Sequence, residues 1–328
     1  MMLSKLHYEC SSDYLEHRQG ILELHKKNYG SVAEKLYDTL YLGNPYGKPL
    51  LGLCFDGKKL VGQENYVRQN VTSNGSTYPG GLGINTIVDS KYRLFYGAFK
   101  ELIRITMDRM KEEADILCAF ANEESKQYYI KYFDWKISSK VHVYKKSIGY
   151  SGLSVETLLA ILKRGKLNKD VTLKEVKKYD PEILNEILVN HTKTAKYSYF
   201  FKTSEFLNWK FLDNKHYGLL GYLIEDKGVI LGYIVTLDDG IETKVVDFLI
   251  DNDDAGVFER TINSLAYIAA KKNKKRLVIY ATPNCWYLNA LKKQMFIYRW
   301  EFDFITALLN EVAIHPDWVI QIGDHDIF

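Results

Sequence analysis

The chain has no apolar run near the roughly 18 residues needed to cross a bilayer. Its start, Met-Met-Leu-Ser-Lys-Leu-His, lacks the long apolar stretch of a secretory leader. The expectation is a cytoplasmic protein without membrane insertion. Metal-ligand spacing is missing too. Cys10, Cys54, Cys118 and Cys285 are scattered with no Cys-x-x-Cys or Cys/His pattern, and no metal is expected. Cys54 and Cys118 lie in apolar, strand-like runs, where a small buried thiol is the ordinary role. Charge of one sign is also scarce. Lys and Arg number 44 against 41 Asp and Glu, a net +3, too small to argue for nucleic acid. The basic stretch Lys271–Arg276 falls between a helical pattern and an apolar strand, where cations complement a helix C-terminus. Asn70-Val-Thr72 and Asn190-His-Thr192 match a glycosylation pattern that has no meaning without secretion.

What is present is ordinary globular material. The 328 residues are 46% hydrophobic and 26% charged, long for one domain and comfortable for two. The most informative stretch runs from Gly83 to Trp135. A β-branched strand, Ile84-Asn85-Thr86-Ile87-Val88, leads through Asp89–Ala98 into an amphipathic helix. There Phe95, Phe99, Leu102, Ile103, Thr106 and Met110 fall on one side, as core residues do. A second apolar strand, Ile116–Phe120, ends in Asn122-Glu-Glu-Ser125 and a Tyr-rich helix. This is a βαβ unit, and its first helix starts where an anionic, phosphorylated group would be held.

The same plan occurs twice. Leu50–Gly62 and Leu219–Gly232 each read as strand, tight turn and returning strand. Asn85 to Asn122 and Asp247 to Asn284 both span 37 residues, and on that shift Asp89 meets Asp251. A tandem duplication follows. We expect an N-terminal domain over 1–148 and a linker over 149–168, in which Ser154 caps a short helix from Val155 to Arg164 that Gly165 ends. A second domain is expected over 169–314, with a tail over 315–328 packed at the domain junction. The second domain would begin with the strand Val171–Val176 and a helix opened by Asp180-Pro181. The expected class is α/β (α+β): two units, each a mixed, mostly antiparallel sheet flanked by helices.

In order and wording the Gly83–Trp135 stretch resembles the acetyl-CoA-binding core of the GCN5-related N-acetyltransferases. That family's phosphate loop reads Gln/Arg-x-x-Gly-x-Gly/Ala. The similar segment is Arg93-Leu-Phe-Tyr96-Gly97-Ala98, in which Tyr96 replaces the middle glycine and Gly97 lies beside it. The resemblance implies a cofactor, acetyl-CoA, held by Ile87, Val88, Arg93, Tyr96, Gly97, Ala98, Asn122 and Ser125. It makes Tyr129, seven residues after Asn122, the acid toward the departing thiolate, with Tyr128 an adjacent alternative. Glu64 is a candidate proton acceptor if it faces the cleft, and Glu123 and Glu124 are others. Each is explained as well by a solvent-facing position. Asn85 can orient water but cannot act as a base.

The second unit reads differently. Arg93 corresponds to Ala255, Ala98 to Arg260 and Tyr129 to Leu291, and Asp253-Asp-Ala-Gly256 would repel a pyrophosphate. The tail, Trp318 followed by Gly323-Asp-His-Asp326, resembles one in acetyltransferase-like proteins encoded with surface-polysaccharide genes. The reading implied is direct acetyl transfer to a primary amine of a small molecule, an amino sugar or sugar nucleotide fitting the tail best. A backbone N–H of the Asn85 strand would polarise the acyl carbonyl. Two rivals stand beside it: a Fem-type aminoacyl transferase, and a degenerate binding or scaffold protein.

Overall fold

The computed structural model describes residues 6–30, 34–93, 96–148, 171–213 and 218–325. The expected linker helix at 155–164 and the core position Phe95 lie outside the described residues. The chain divides into two compact units that are not contiguous in sequence. The first comprises 1–71, 77–137 and 304–313; the second comprises 72–76, 138–303 and 314–328.

In the first unit β1 (His7–Ser11), β2 (Leu50–Asp56), β3 (Lys59–Ser73), β4 (Ser76–Val88) and β5 (Ile116–Ala119) lie side by side in that order. The neighbour of β5 comes from far along the chain. Residues of β13 (Ile297–Leu308) pair antiparallel with it, Ile305 opposite Ala119 and Leu308 opposite Ile116. β1, β2 and β3 pair antiparallel, whereas β4 and β5 are parallel, as the crossover through α3 (Tyr96–Met110) requires. Asn74 and Gly75, at φ 51° and 78°, make the tight turn between β3 and β4.

Three further helices complete this unit: α1 (Tyr14–Tyr29), α2 (Glu34–Tyr41) and α4 (Glu123–Tyr132). Asp13 caps α1 by accepting the Glu16 N–H at 3.1 Å. Of the residues expected on the buried side of α3, Leu102, Ile103, Thr106 and Met110 are fully buried. Together with Tyr66, Leu117, Tyr129 and Trp135, the helix residues Ile103 and Met110 form one core cluster. Strand β2 comes so close to α3 that a Cβ on Gly52 would lie 2.6 Å from the Thr106 methyl, which is why only glycine fits there.

The second unit orders its strands β6 (Lys136–Ser147), β12 (Arg276–Ala281), β11 (Glu242–Ile250), β10 (Val229–Asp239), β9 (Leu219–Asp226) and β7 (Val171–Val176). All pairings in this series are antiparallel except β11 with β12. A short parallel pair joins β8 (Ser198–Phe201) to β14 (Trp318–Val319). The helices are α5 (Pro181–Thr194), capped by Asp180 as expected, α6 (Ser204–Leu207) with a π turn over Asn208–Leu212, α7 (Ala255–Lys271) and α8 (Leu288–Lys293). The turn Lys227–Gly228 closes the β9–β10 hairpin with both φ values positive. Each unit is a mixed, mostly antiparallel sheet flanked by helices, and the class is α/β. Cys54 and Cys118 are buried thiols outside any disulfide. Among the described residues no helix is long and apolar enough to cross a membrane.

Candidate active site

Strands β4 and β5 stay paired only from Gly80–Gly83 against Ile116–Ala119. Strand β4 then continues through Ile84–Val88 while β5 ends. The sheet of the first unit therefore opens into a wedge at this point, and polar side chains crowd around it.

Glu64 and Tyr66 lie two residues apart on β3, so they share a face. The Tyr66 hydroxyl donates to Glu64 Oε1 at 2.6 Å. Glu64 is fully buried. That placement differs from the solvent-facing alternative, because α3 and α4 cover this side. Burial raises the Glu64 carboxyl to about 7, although hydrogen bonds from Tyr66 and Tyr129 pull the other way. Tyr129, on α4, is also buried, and its hydroxyl lies 3.2 Å from Thr86 Oγ1 on β4. Desolvation first and the Glu64 charge second push the Tyr129 phenol well above its ordinary value. Glu64 and Tyr129, both expected from the sequence, thus lie close enough to shift each other's proton affinity, while Glu64 Oε2 is buried without a hydrogen-bond partner.

Asn85 has φ 54°, a left-handed backbone that asparagine tolerates better than most residues. Its conformation is held from the opposite face. Asn85 Nδ2 donates to the Tyr41 hydroxyl at 3.0 Å, and Gln63 Nε2 donates to the Asn85 carbonyl at 2.9 Å. Tyr41 accepts a second bond from Asn65 Nδ2 at 2.8 Å. The Tyr37 hydroxyl bonds the His25 ring, 2.7 Å from Nε2, and Gln63 Nε2 lies 3.1 Å from the same nitrogen. Burial drives His25 down to about 4, so the imidazole is neutral at physiological pH. Gln63 Oε1 and Asn65 Oδ1 are buried without a hydrogen-bond partner. Sequence reasoning misses His25, Tyr37, Tyr41, Gln63 and Asn65. The one signal for them is a polar triplet: Gln63 and Asn65 flank Glu64 near the middle of the strand.

The turn from β4 into α3 leads into the segment expected to serve as a phosphate loop, of which residues 94 and 95 lie outside the described residues. Asp89 is buried, ion-paired with Lys27 of α1, and accepts the Lys91 N–H at 3.2 Å. Arg93 donates through Nε to the Val88 carbonyl at 2.8 Å and through Nη2 to Asn28 Oδ1 at 3.2 Å. Ile87, Val88 and Ala98 are buried. Gly97 is exposed, and a Cβ there would meet nothing within 4 Å. A cleft of about 480 Å³ beside this turn is lined by Lys27, Lys58, Lys59 and Asp89 among others. Asn122 and Ser125 sit at the start of α4, where Asn122 Oδ1 caps the helix by accepting the Ser125 N–H at 2.9 Å. Glu123 and Glu124 are exposed on the first turn of α4, with Glu123 ion-paired to Lys126. Lys146, in the second unit, is an unrelated buried amine lowered to about 8 by desolvation.

Structural comparison reports on the architecture. A GCN5-related N-acetyltransferase from Anabaena variabilis superposes with a TM-score of 0.66 at 15% identity, covering 93% of this chain and 73% of that one. A probable N-acyltransferase from Enterococcus faecalis gives 0.67 at 11% identity, covering 93% and 73%. The chain has the GCN5-related N-acetyltransferase fold. Saccharomyces cerevisiae N-myristoyltransferase, solved with bound myristoyl-CoA, is similar at a TM-score of 0.59 and 12% identity, covering 93% and 79%. No protein-family profile matches the sequence, and no curated protein does.

Proposed function

We propose that the first unit transfers an acyl group from acyl-CoA, acetyl-CoA foremost, to a primary amine of a small molecule. The observation that carries this reading is the juxtaposition of Glu64 and Tyr129 beside the wedge where β4 leaves β5. Acyl-CoA supplies an activated thioester, and the residues present fit it in three respects. The edge of β4 beyond Gly83 has no β5 partner, which suits main-chain bonding to an amide-bearing arm. Gly97 is not demanded by the fold, since its Cβ direction is open; a close-lying phosphate is a reason for glycine there. Lys27, Lys58 and Lys59 line the cleft beside this turn together with Glu16, Glu23 and Asp89, and Arg93 lies on the turn itself.

The proton inventory closes within the site. An attacking amine must lose a proton, and a carboxyl near 7 can take it at neutral pH. Tyr129 gives its phenolic proton to the departing sulfur. Glu64 then returns its proton to the neighbouring Tyr129, which resets both groups. Asn85, fixed by Gln63 and Tyr41, positions the strand rather than moving protons. The acceptor class implied by the tail resemblance is an amino sugar or sugar nucleotide, and the second unit would serve without chemistry of its own.

Calorimetric titration with acetyl-CoA, beside Arg93→Ala, tests this. Saturable binding that the substitution weakens supports the assignment. No heat at millimolar acetyl-CoA would overturn it in favour of a scaffold.

A further inference from the structure

The sheet of the second unit opens as the first does. β11 pairs with β12 only across Glu242–Lys244 and Arg276–Val278, and β11 then runs on to Ile250. On the shift that lays Asn85 on Asp247, Phe248 takes the place of Thr86. Phe248 is opposite Ile234 on β10, yet both of its main-chain groups are used elsewhere. Its N–H donates to Gln321 Oε1 at 2.6 Å, and its carbonyl accepts from Gln321 Nε2 at 2.7 Å. One side-chain amide thus pairs with both polar groups of a single strand residue, as a neighbouring strand or a bound amide chain would.

The rest of the C-terminal segment lies along the same opening. At the end of β12, the Thr282 hydroxyl donates to the Trp318 carbonyl, and Asn284 Nδ2 donates to Asp317 Oδ1 at 2.6 Å. The segment therefore bridges from β12 to β11 within this unit. Past Gln321 it is locked in place. Asp324 accepts the Gln321 N–H at 2.7 Å and shares the buried Lys202 ammonium with Asp247, at 2.6 and 2.8 Å. A Cβ on Gly323 would come within 2.7 Å of the Phe211 ring and 3.0 Å of Asp247 Oδ2, so the backbone passes where no side chain fits. The acids at the start of α7 serve the unit itself. Asp254 caps Gly256 and Val257 at 2.7 and 3.0 Å, and Asp253 Oδ1 bonds Tyr197 at 2.8 Å and His191 at 3.1 Å.

We infer that the second unit contains a groove for an extended, amide-bearing chain of the pantetheine kind. Its occupant is the protein's own segment Trp318–Asp324, with Gln321 standing where an arm amide would pair with β11. Only the identity of the imitated ligand rests on reading the first unit as an acyl-CoA site; the occupied groove itself does not. The chain then has one site for CoA, and the second groove is closed from within.

The test uses the full-length chain and pantetheine, which carries the two amides without phosphate. Hydrogen exchange at the Phe248 amide is measured in wild type, in Gln321→Met, which keeps the volume, and in Gln321→Asn, which keeps the amide but shortens its reach. In wild type the amide is expected to be protected and unmoved by millimolar pantetheine. In both variants exchange should accelerate roughly tenfold or more, and pantetheine should slow it again. Unchanged exchange in the variants overturns the inference, as does faster exchange that pantetheine does not reverse. A wild-type CoA titration reports separately. Two sites per chain would also overturn the inference. An absence of CoA binding would sink the first unit's assignment, and the exchange measurement would still support or overturn the occupied groove by itself.

Discussion

The Tyr66 phenol donates to Glu64 Oε1 at 2.6 Å, from two residues further along the same strand. A short tether of this kind holds the carboxyl in one orientation. It also supplies a hydrogen bond to the charged form, so the rise of Glu64 to about 7 occurs in spite of Tyr66 rather than because of it.

Glu64 therefore makes stability pH-dependent. Its folded value lies above the unfolded 4.5, so the folded state holds the proton more tightly. Below about 4.5 both states are protonated and nothing is lost. As pH rises from there to about 7 the buried charge costs progressively more, roughly 3 kcal/mol at the plateau. Glu64→Gln removes that cost. Denaturant melts should show the variant more stable than wild type at pH 8 and nearly equal to it at pH 4, while acyl transfer falls at least tenfold. A constant stability difference across that range would contradict the assignment.

Tyr129→Phe deletes one hydroxyl in a packed site. Turnover should fall about 10- to 100-fold with acetyl-CoA affinity changed less than about threefold. Full turnover with the true acceptor would remove Tyr129 from the proton path. The split between rate and affinity is the informative reading.

Lys27→Met leaves Asp89 buried without its ammonium partner. Removing one member of a buried pair costs on the order of 3–5 kcal/mol, reduced here because Lys27 is partly exposed. Thermal unfolding should drop markedly. The double variant Lys27→Met with Asp89→Asn should recover much of the loss, and no recovery would point to packing instead.

Asn85→Val places a β-branched residue at φ 54° and removes the bond to Tyr41. It should be strongly destabilising, while Asn85→Gly keeps the backbone and loses only the side-chain bonds. Comparing the two melts separates backbone strain from the hydrogen-bond network. Equal losses would mean that the left-handed conformation contributes little.

The hairpins, the two βαβ units and the helix opened by Asp180 are legible in the sequence because each is a local pattern of turn residues and periodicity, whereas the cap at Asn122 is seen only in the structure. The meeting of Glu64 with Tyr129 is only half legible. A polar residue on a strand looks the same in sequence whether water or a helix covers it, and α3 with α4 does the covering here. His25, Tyr37 and Tyr41 are invisible for a related reason. Their partners, Gln63 and Asn85, lie dozens of residues away, and nothing in a helix of ordinary composition announces a buried histidine. The pairing of Ile305 with Ala119 is beyond any local reading, since no periodicity links strands so distant along the chain.

That pairing has a consequence for how the protein is made. Translation delivers β1 through β5 early, but residues 304–308 emerge only after the whole intervening chain. Until they do, the nascent chain carries β5 with one side unpaired, an apolar edge of the sort that recruits stray strands. A ribosome stalled before that point would display a sheet lacking its last strand. Commitment of the first unit to its native form thus waits for a strand made long after the rest of its sheet.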